Sequence, residues 1–187
     1  MRKVVMFNRV SIDGFFAGPK GEIDWFIPDA DLDKAVHELM SPDTVLFGRV
    51  TYELLASYWP KAALNPNASE GERMMANELN QMTKIVFSNS LKEAMWQNSK
   101  LVKGDVVGEV RKLKQGSGQD IVIFGSGTIV QQLTAQGLID EYLFAVTPVI
   151  LGEGKSLFSG IKKSGFEPLE TSKFKSGNVL IHYRIKK

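Results

Sequence analysis

The stretch Asp120 to Leu133, DIVIFGSGTIVQQL, constrains the fold more than any other part of the chain. Ile121 to Phe124 is an unbroken apolar run, the pattern of a strand buried on both faces. Gly125, Ser126, Gly127 and Thr128 interrupt it. Ile129, Val130 and Leu133 then recur at helical spacing, with Gln131 and Gln132 turned away. A central strand thus feeds a glycine turn, and the turn feeds a helix. The first N–H groups of a helix have no partner inside it, and the helix dipole adds positive charge there. Glycines let a ligand approach that backbone, so the corner suits an anion. Glycines kept for steric reasons alone would explain the same residues equally well.

Three named motifs fail on this chain. A dinucleotide fingerprint starting at Gly125 has Val130 at its third glycine, and a nucleophile elbow around Ser126 has Phe124 at its first. Gly154-Lys155-Ser156 resembles the end of a phosphate-binding P-loop, but Val149 stands at the required glycine.

Composition narrows the class. The 187 residues, 43% hydrophobic and 24% charged, suit one globular domain with a sizeable core. A net charge of +2 predicts neither a nucleic-acid nor a membrane surface. The absence of cysteine excludes disulfides, thiolate metal sites and cysteine nucleophiles. With only His37 and His182, and no HExxH, neither zinc nor a histidine triad is expected. No apolar run approaches the roughly 20 residues that span a bilayer. Met1-Arg2-Lys3 followed by Val4 to Phe7 reads as a first strand rather than a signal peptide, so a cytoplasmic location is expected.

Taken in order, Lys3 to Val10 reads as a strand and Ser11 to Asp24 as a glycine-rich loop. Leu32, Ala35, Val36, Leu39 and Met40 predict a helix from Asp31 to Met40. Asp29, Asp31 and Asp33 crowd its start, where they complement the dipole, or where one of them faces a pocket. Thr44 to Phe47 is a strand, and Gly48-Arg49-Val50-Thr51 turns into a helix carrying Tyr52, Leu55 and Ala56. This is a second strand–glycine–helix corner, now with an arginine suited to phosphate. Trp59-Pro60 to Ser69 reads as irregular, and Ser69 and Glu72 open a helix through about Gln81 with capping-box spacing. Lys84 to Phe87 is a strand that ends in the polar turn Ser88-Asn89-Ser90. Leu101-Val102 is a short strand, and Asp105 starts a helix through Leu113. Beyond the central stretch, Gly137 caps a helix and Ile139 to Val149 is a long strand. Phe166 to Phe174 and Val179 to Ile185 form a hairpin through Ser176-Gly177-Asn178. A single domain, 1–187, follows, with a mixed sheet and helices on both faces. If the strands before Gly48, Ser88 and Gly125 are parallel, these three turns share one sheet edge, where ligands bind in such folds.

The segments SIDGFFAGPKGEIDW, FGRVTYE, VFSNSL, IVIFGSGTIVQQL and LIDEYLFAVTPVILGEGKSLF resemble the dihydrofolate-reductase-like superfamily. Within it they are most similar to the C-terminal reductase domain of the bifunctional riboflavin-biosynthesis deaminase-reductase. The resemblance covers nearly the whole chain. It implies a three-layer α/β fold with a mixed, mostly parallel sheet and a C-terminal antiparallel hairpin. It also implies a reductase that moves hydride from NADPH, or from NADH, to a pyrimidine or pterin. Carried over, Gly48, Arg49 and Thr51 would hold cofactor phosphates, with Ser88 near the adenosine phosphate. Gly125, Ser126, Gly127 and Thr128 would contact the pyrophosphate. Asp31 would be the catalytic carboxylate, and Asp13 and Trp25 would belong to the substrate pocket. Two departures stand out. Ser126 replaces the second glycine of a pair that the family often joins by a cis bond, which here would cost about 3 kcal/mol. Asn89 replaces a basic residue, which weakens the preference for NADPH over NADH. Relatives of this type form homodimers. For the apolar stretch Tyr142 to Ile150, an interface between copies and burial within one chain are both open. The alternatives to a riboflavin-type reductase are dihydrofolate reduction and a non-catalytic binding protein on the same fold.

Overall fold

The computed structural model describes residues 1–186. Eight strands form one sheet: β1 (Val4–Ser11), β3 (Pro42–Gly48), β4 (Thr83–Phe87), β5 (Ser99–Val102), β6 (Asp120–Phe124), β7 (Glu141–Thr147), β9 (Phe166–Lys173) and β10 (Val179–Ile185). Their spatial order is β5-β4-β3-β6-β1-β7-β10-β9. All pairings from β5 to β7 are parallel, and β10 runs antiparallel to both β7 and β9. Two further strands, β2 (Phe15–Ala17) and β8 (Lys155–Ser156), pair with each other over one end of the molecule.

Alternation along β1 shows why helices cover both faces. Val4 and Met6 enter a core with α4 (Val106–Gln115) and α5 (Gly127–Ala135), while Val5 enters the other core with α1 (Ala30–Leu39), α2 (Arg49–Ala62) and α3 (Glu70–Gln81). Three of the helices start on a side-chain cap. Asp29 accepts from the N–H groups of Asp31 and Leu32, Ser69 and Glu72 form a reciprocal capping box, and Asp105 accepts from Gly108. The remaining two, α2 and α5, start with no side-chain cap.

The strand–helix order and the hairpin stand as expected from the sequence. Gly137 ends α5 at φ +61°, with its N–H donating to the Thr134 carbonyl. Two differences exceed a shift of one or two residues at an element's end. The α2 helix continues through Trp59-Pro60 to Ala62, which is buried, although Pro60 has no N–H to give the helix. The loop after β1 contains β2, which the Gly-rich sequence hid and which pairs only with a residue pair far along the chain. Tyr142, Leu143 and Ala145 are fully buried between β1 and β10, so the chain itself covers most of that apolar stretch; Ile150 remains exposed. None of the helices among the described residues is long and apolar enough to cross a membrane.

Candidate functional site

The parallel pairing of β3, β4 and β6 brings the three polar turns to one edge of the sheet. There they border a cavity of about 720 Å³, whose walls also include β1, β2 and β8. Gly48, Arg49, Thr51, Ser88 and the run Gly125 to Thr128 all line it. The sequence motifs therefore meet, although they come from separate parts of the chain.

The two glycine corners are joined to each other. The Ser126 hydroxyl accepts the Gly48 N–H at 2.7 Å and donates to Thr51 Oγ1 at 3.0 Å, and the Ser126 N–H donates to the same Thr51 oxygen at 3.1 Å. To make these bonds Ser126 adopts φ +58°, beside Gly125 at φ +62°. The peptide bonds of the described residues are trans, including Gly125–Ser126. A side chain at 125 would also meet Thr51 at 3.2 Å, and one at 127 would meet the Phe16 ring at 3.0 Å. The backbone at this corner is therefore open because glycine stands there.

Uncapped helix starts have chemical consequences. The α2 helix begins after Gly48 and α5 after Ser126, and both beginnings line the cavity. Neither start is capped by its own N-cap side chain, so two positive dipole ends border one space. The lining adds Arg9, Arg49 and Lys155, and among the described residues it contains no Asp, Glu or His. This is a cradle for an extended anion with a planar part, since aromatic and aliphatic side chains such as Phe7, Phe26, Leu54 and Leu55 complete it.

The polar turn after β4 is partly committed to its own structure. Ser88 Oγ accepts from the Ser90 and Leu91 N–H groups, and Asn89 Oδ1 accepts from Gly104 at 3.0 Å. Arg49 donates to Glu53 one helical turn on, at 2.8 Å, with both side chains about half exposed.

The three substrate-side residues inferred from the resemblance do not line the cavity. Asp31 is exposed in the first turn of α1, where its N–H is capped by Asp29. Asp13 instead ties two loops together, accepting from Leu151 and Gly152. Its carboxyl is held below the ordinary range by the Ser11 hydroxyl and these amides. Trp25 donates to the Glu22 carbonyl and packs edge-on against Phe26.

The sequence offers Arg9, Lys20, Lys61 and Lys155 as candidate cations for a substrate phosphate, and of these Arg9, on β1, and Lys155 line the cavity. Arg9 there donates to the Ile27 carbonyl at 3.1 Å and to Asp33 at 2.7 Å, and its guanidinium lies over the Phe26 ring at 5.7 Å. Burial raises the Asp33 carboxyl above its ordinary range even though Arg9 opposes the shift. Asn8, also buried, lines the cavity beside it. A signal for Arg9 was present in the sequence, as a charged residue inside an otherwise apolar strand. No group of metal-ligating side chains occurs among the described residues.

Comparison with known proteins identifies the fold and the family. The chain is 33% identical to the uncharacterized protein YyaP of Bacillus subtilis over 183 residues, covering 97% of this chain and 94% of that protein. Its fold matches a Thermotoga maritima diaminohydroxyphosphoribosylaminopyrimidine deaminase/5-amino-6-(5-phosphoribosylamino)uracil reductase with a TM-score of 0.68 at 17% identity. That match covers 99% of this chain and 57% of the bifunctional one. It also matches Enterococcus faecalis dihydrofolate reductase complexed with NADP(H), with a TM-score of 0.67 at 18% identity, over 99% and 97% of the two chains. The family model of the RibD C-terminal domain matches residues 2–180, nearly the whole chain, and this chain belongs to that family.

Proposed function

We propose that this protein is an NADPH-dependent reductase acting on a pyrimidine of the 5-amino-6-(5-phosphoribosylamino)uracil type. The observation that carries the reading is the convergence of two uncapped helix starts on one cavity, stitched together by Ser126 and Thr51. The N–H groups of Gly127 and Thr128, with those at the start of α2, would hold the pyrophosphate. The open backbone at Gly125 and Gly127 fits the close approach this needs. Arg49 would pair with the additional phosphate of NADPH. Asn89 supplies no charge, so Arg49 carries that discrimination.

The bound nicotinamide would supply the hydride. The protein's part is to hold the two rings in register and to exclude water around them, with Phe7, Phe26, Leu54 and Leu55 as walls. Hydride goes to an electron-poor carbon and a proton to its heteroatom. With no acid among the described lining residues, that proton arrives through ordered water. The same absence weighs against a dihydropterin substrate, whose amino-substituted ring is best held by a carboxylate.

The test follows oxidation of NADPH at 340 nm with 5-amino-6-(5-phosphoribosylamino)uracil, and separately with dihydrofolate. Turnover of the pyrimidine alone supports the reading. Turnover of dihydrofolate alone replaces it with the second activity. Cofactor binding without turnover of either moves the protein to the non-catalytic class.

A further inference from the structure

We propose that Arg9 is a specificity-determining anchor that seats an oxyanion of the substrate, a phosphate or a carboxylate, at the β1 wall of the cavity. That the oxyanion belongs to a substrate rests on the proposed reductase function; the anion site itself does not.

Alternation along β1 sends Phe7 and Arg9 to the face covered by α1 and α2, opposite to the face that holds α5. The Arg9 side chain is 12% exposed, an unusual position for a charge unless it has work or partners. Its partners account for it only in part. Two of the five guanidinium N–H donors are used, one on the Ile27 carbonyl and one on a single oxygen of Asp33. Asp33 lies outside the cavity and is 52% exposed. Nε makes no hydrogen bond within the chain and is not among the buried, unpartnered side-chain atoms of the described residues, so it keeps some exposure.

The orientation of Arg9 is built rather than incidental. Ile27, whose carbonyl accepts from Arg9, also accepts from Asn178 Nδ2 at 3.2 Å, and Asn178 is fully buried. Ser176 donates to Asp29 beside it. The tip of the C-terminal hairpin thus clamps the segment that holds Arg9. The guanidinium carbon lies over the Phe26 ring at 5.7 Å from its centre, within cation–π reach. A planar fork with free donors, in a cavity without carboxylates, presents itself to an incoming oxyanion. Phe26 and Leu54 then offer apolar surface to the attached ring.

The experiment uses the full chain, saturated with NADPH, and titrates ribose 5-phosphate and p-aminobenzoylglutamate by calorimetry. The first probe carries a phosphate and the second carboxylates, so the arms distinguish the two sources of the oxyanion. Wild type is expected to bind one of them saturably. Arg9→Gln is expected to weaken that probe by about tenfold or more, and Arg9→Lys by less, while NADPH affinity stays within about twofold. Thermal melts of both variants verify folding. Equal binding of the probes by wild type and Arg9→Gln, or no binding of either probe by wild type, overturns the proposal. If NADPH does not bind, the reductase reading fails. The probe titrations, repeated without cofactor in an Arg49→Ala background, then decide the role of Arg9 separately.

Discussion

Thr51 Oγ1 lies 3.0 Å from Ser126 Oγ, across a sequence separation of 75 residues, and this contact locks the starts of two helices together. The Ser126 hydroxyl also takes the Gly48 N–H, so each corner fixes the other. Ser126→Ala leaves the Gly48 N–H without its acceptor and Thr51 with one fewer donor. The expected loss of stability is about 1–3 kcal/mol, with a parallel loss of NADPH affinity. Urea denaturation and cofactor titration of the same variant check both. A Ser126→Ala protein with unchanged affinity would mean that the stitch does not shape the cofactor site.

Arg49 faces solvent on one side and Glu53 on the other, and a pair so exposed contributes little to folding. Arg49→Ala should therefore leave the melting temperature nearly unchanged. It should weaken NADPH by about 10- to 100-fold, the loss of a charge-assisted hydrogen bond, and leave NADH almost untouched. Paired titrations of the two cofactors measure the difference.

Lys84 is fully buried on β4 with no carboxylate partner. Its ammonium donates to the Met82 carbonyl at 2.7 Å and lies 4.8 Å from the Trp96 ring centre. Burial pulls its pKa down to about 8. The unfolded chain holds that proton more tightly, so the penalty is present below pH 8 and is relieved as pH rises from 8 towards 10.5. Lys84→Met should remove this dependence. Relative to the variant, wild type should gain about 2 kcal/mol between pH 7 and pH 10. Chemical denaturation of both proteins at the two pH values reads the change.

Asp31 is exposed and lies outside the cavity lining. Asp31→Asn should change kcat/KM for the active substrate by less than about threefold, the range of an ordinary surface substitution. A loss of two orders of magnitude would place a carboxylate in the chemistry after all.

The parts of the molecule written in local patterns were legible without coordinates. The apolar run Ile121 to Phe124, the capping box at Ser69 and Glu72, and the αL glycine at 137 each carry their own physical signature. The two strand–glycine–helix corners were legible for the same reason. Contacts that depend on long-range geometry were not. Nothing local announces that Ser126 bonds to Thr51 or that Asp13 holds Gly152. On the substrate side, Asp31, Asp13 and Trp25 lie off the cavity lining. An aligned motif shows only that an aspartate is present, whereas its direction depends on where the helix starts. Arg9 was one of several candidate cations, and only the fold separates it and Lys155, which line the cavity, from Lys20 and Lys61, which do not.

The central claim is that the corners at Gly48 and Gly125 to Thr128 hold a nicotinamide dinucleotide. Titration of NADPH into isotope-labelled protein, followed by backbone amide NMR, tests it most directly. The account predicts saturable one-to-one binding, with the largest shifts at Arg49 to Thr51 and at Gly127 and Thr128. No saturable binding, or shifts concentrated away from these two helix starts, would contradict it.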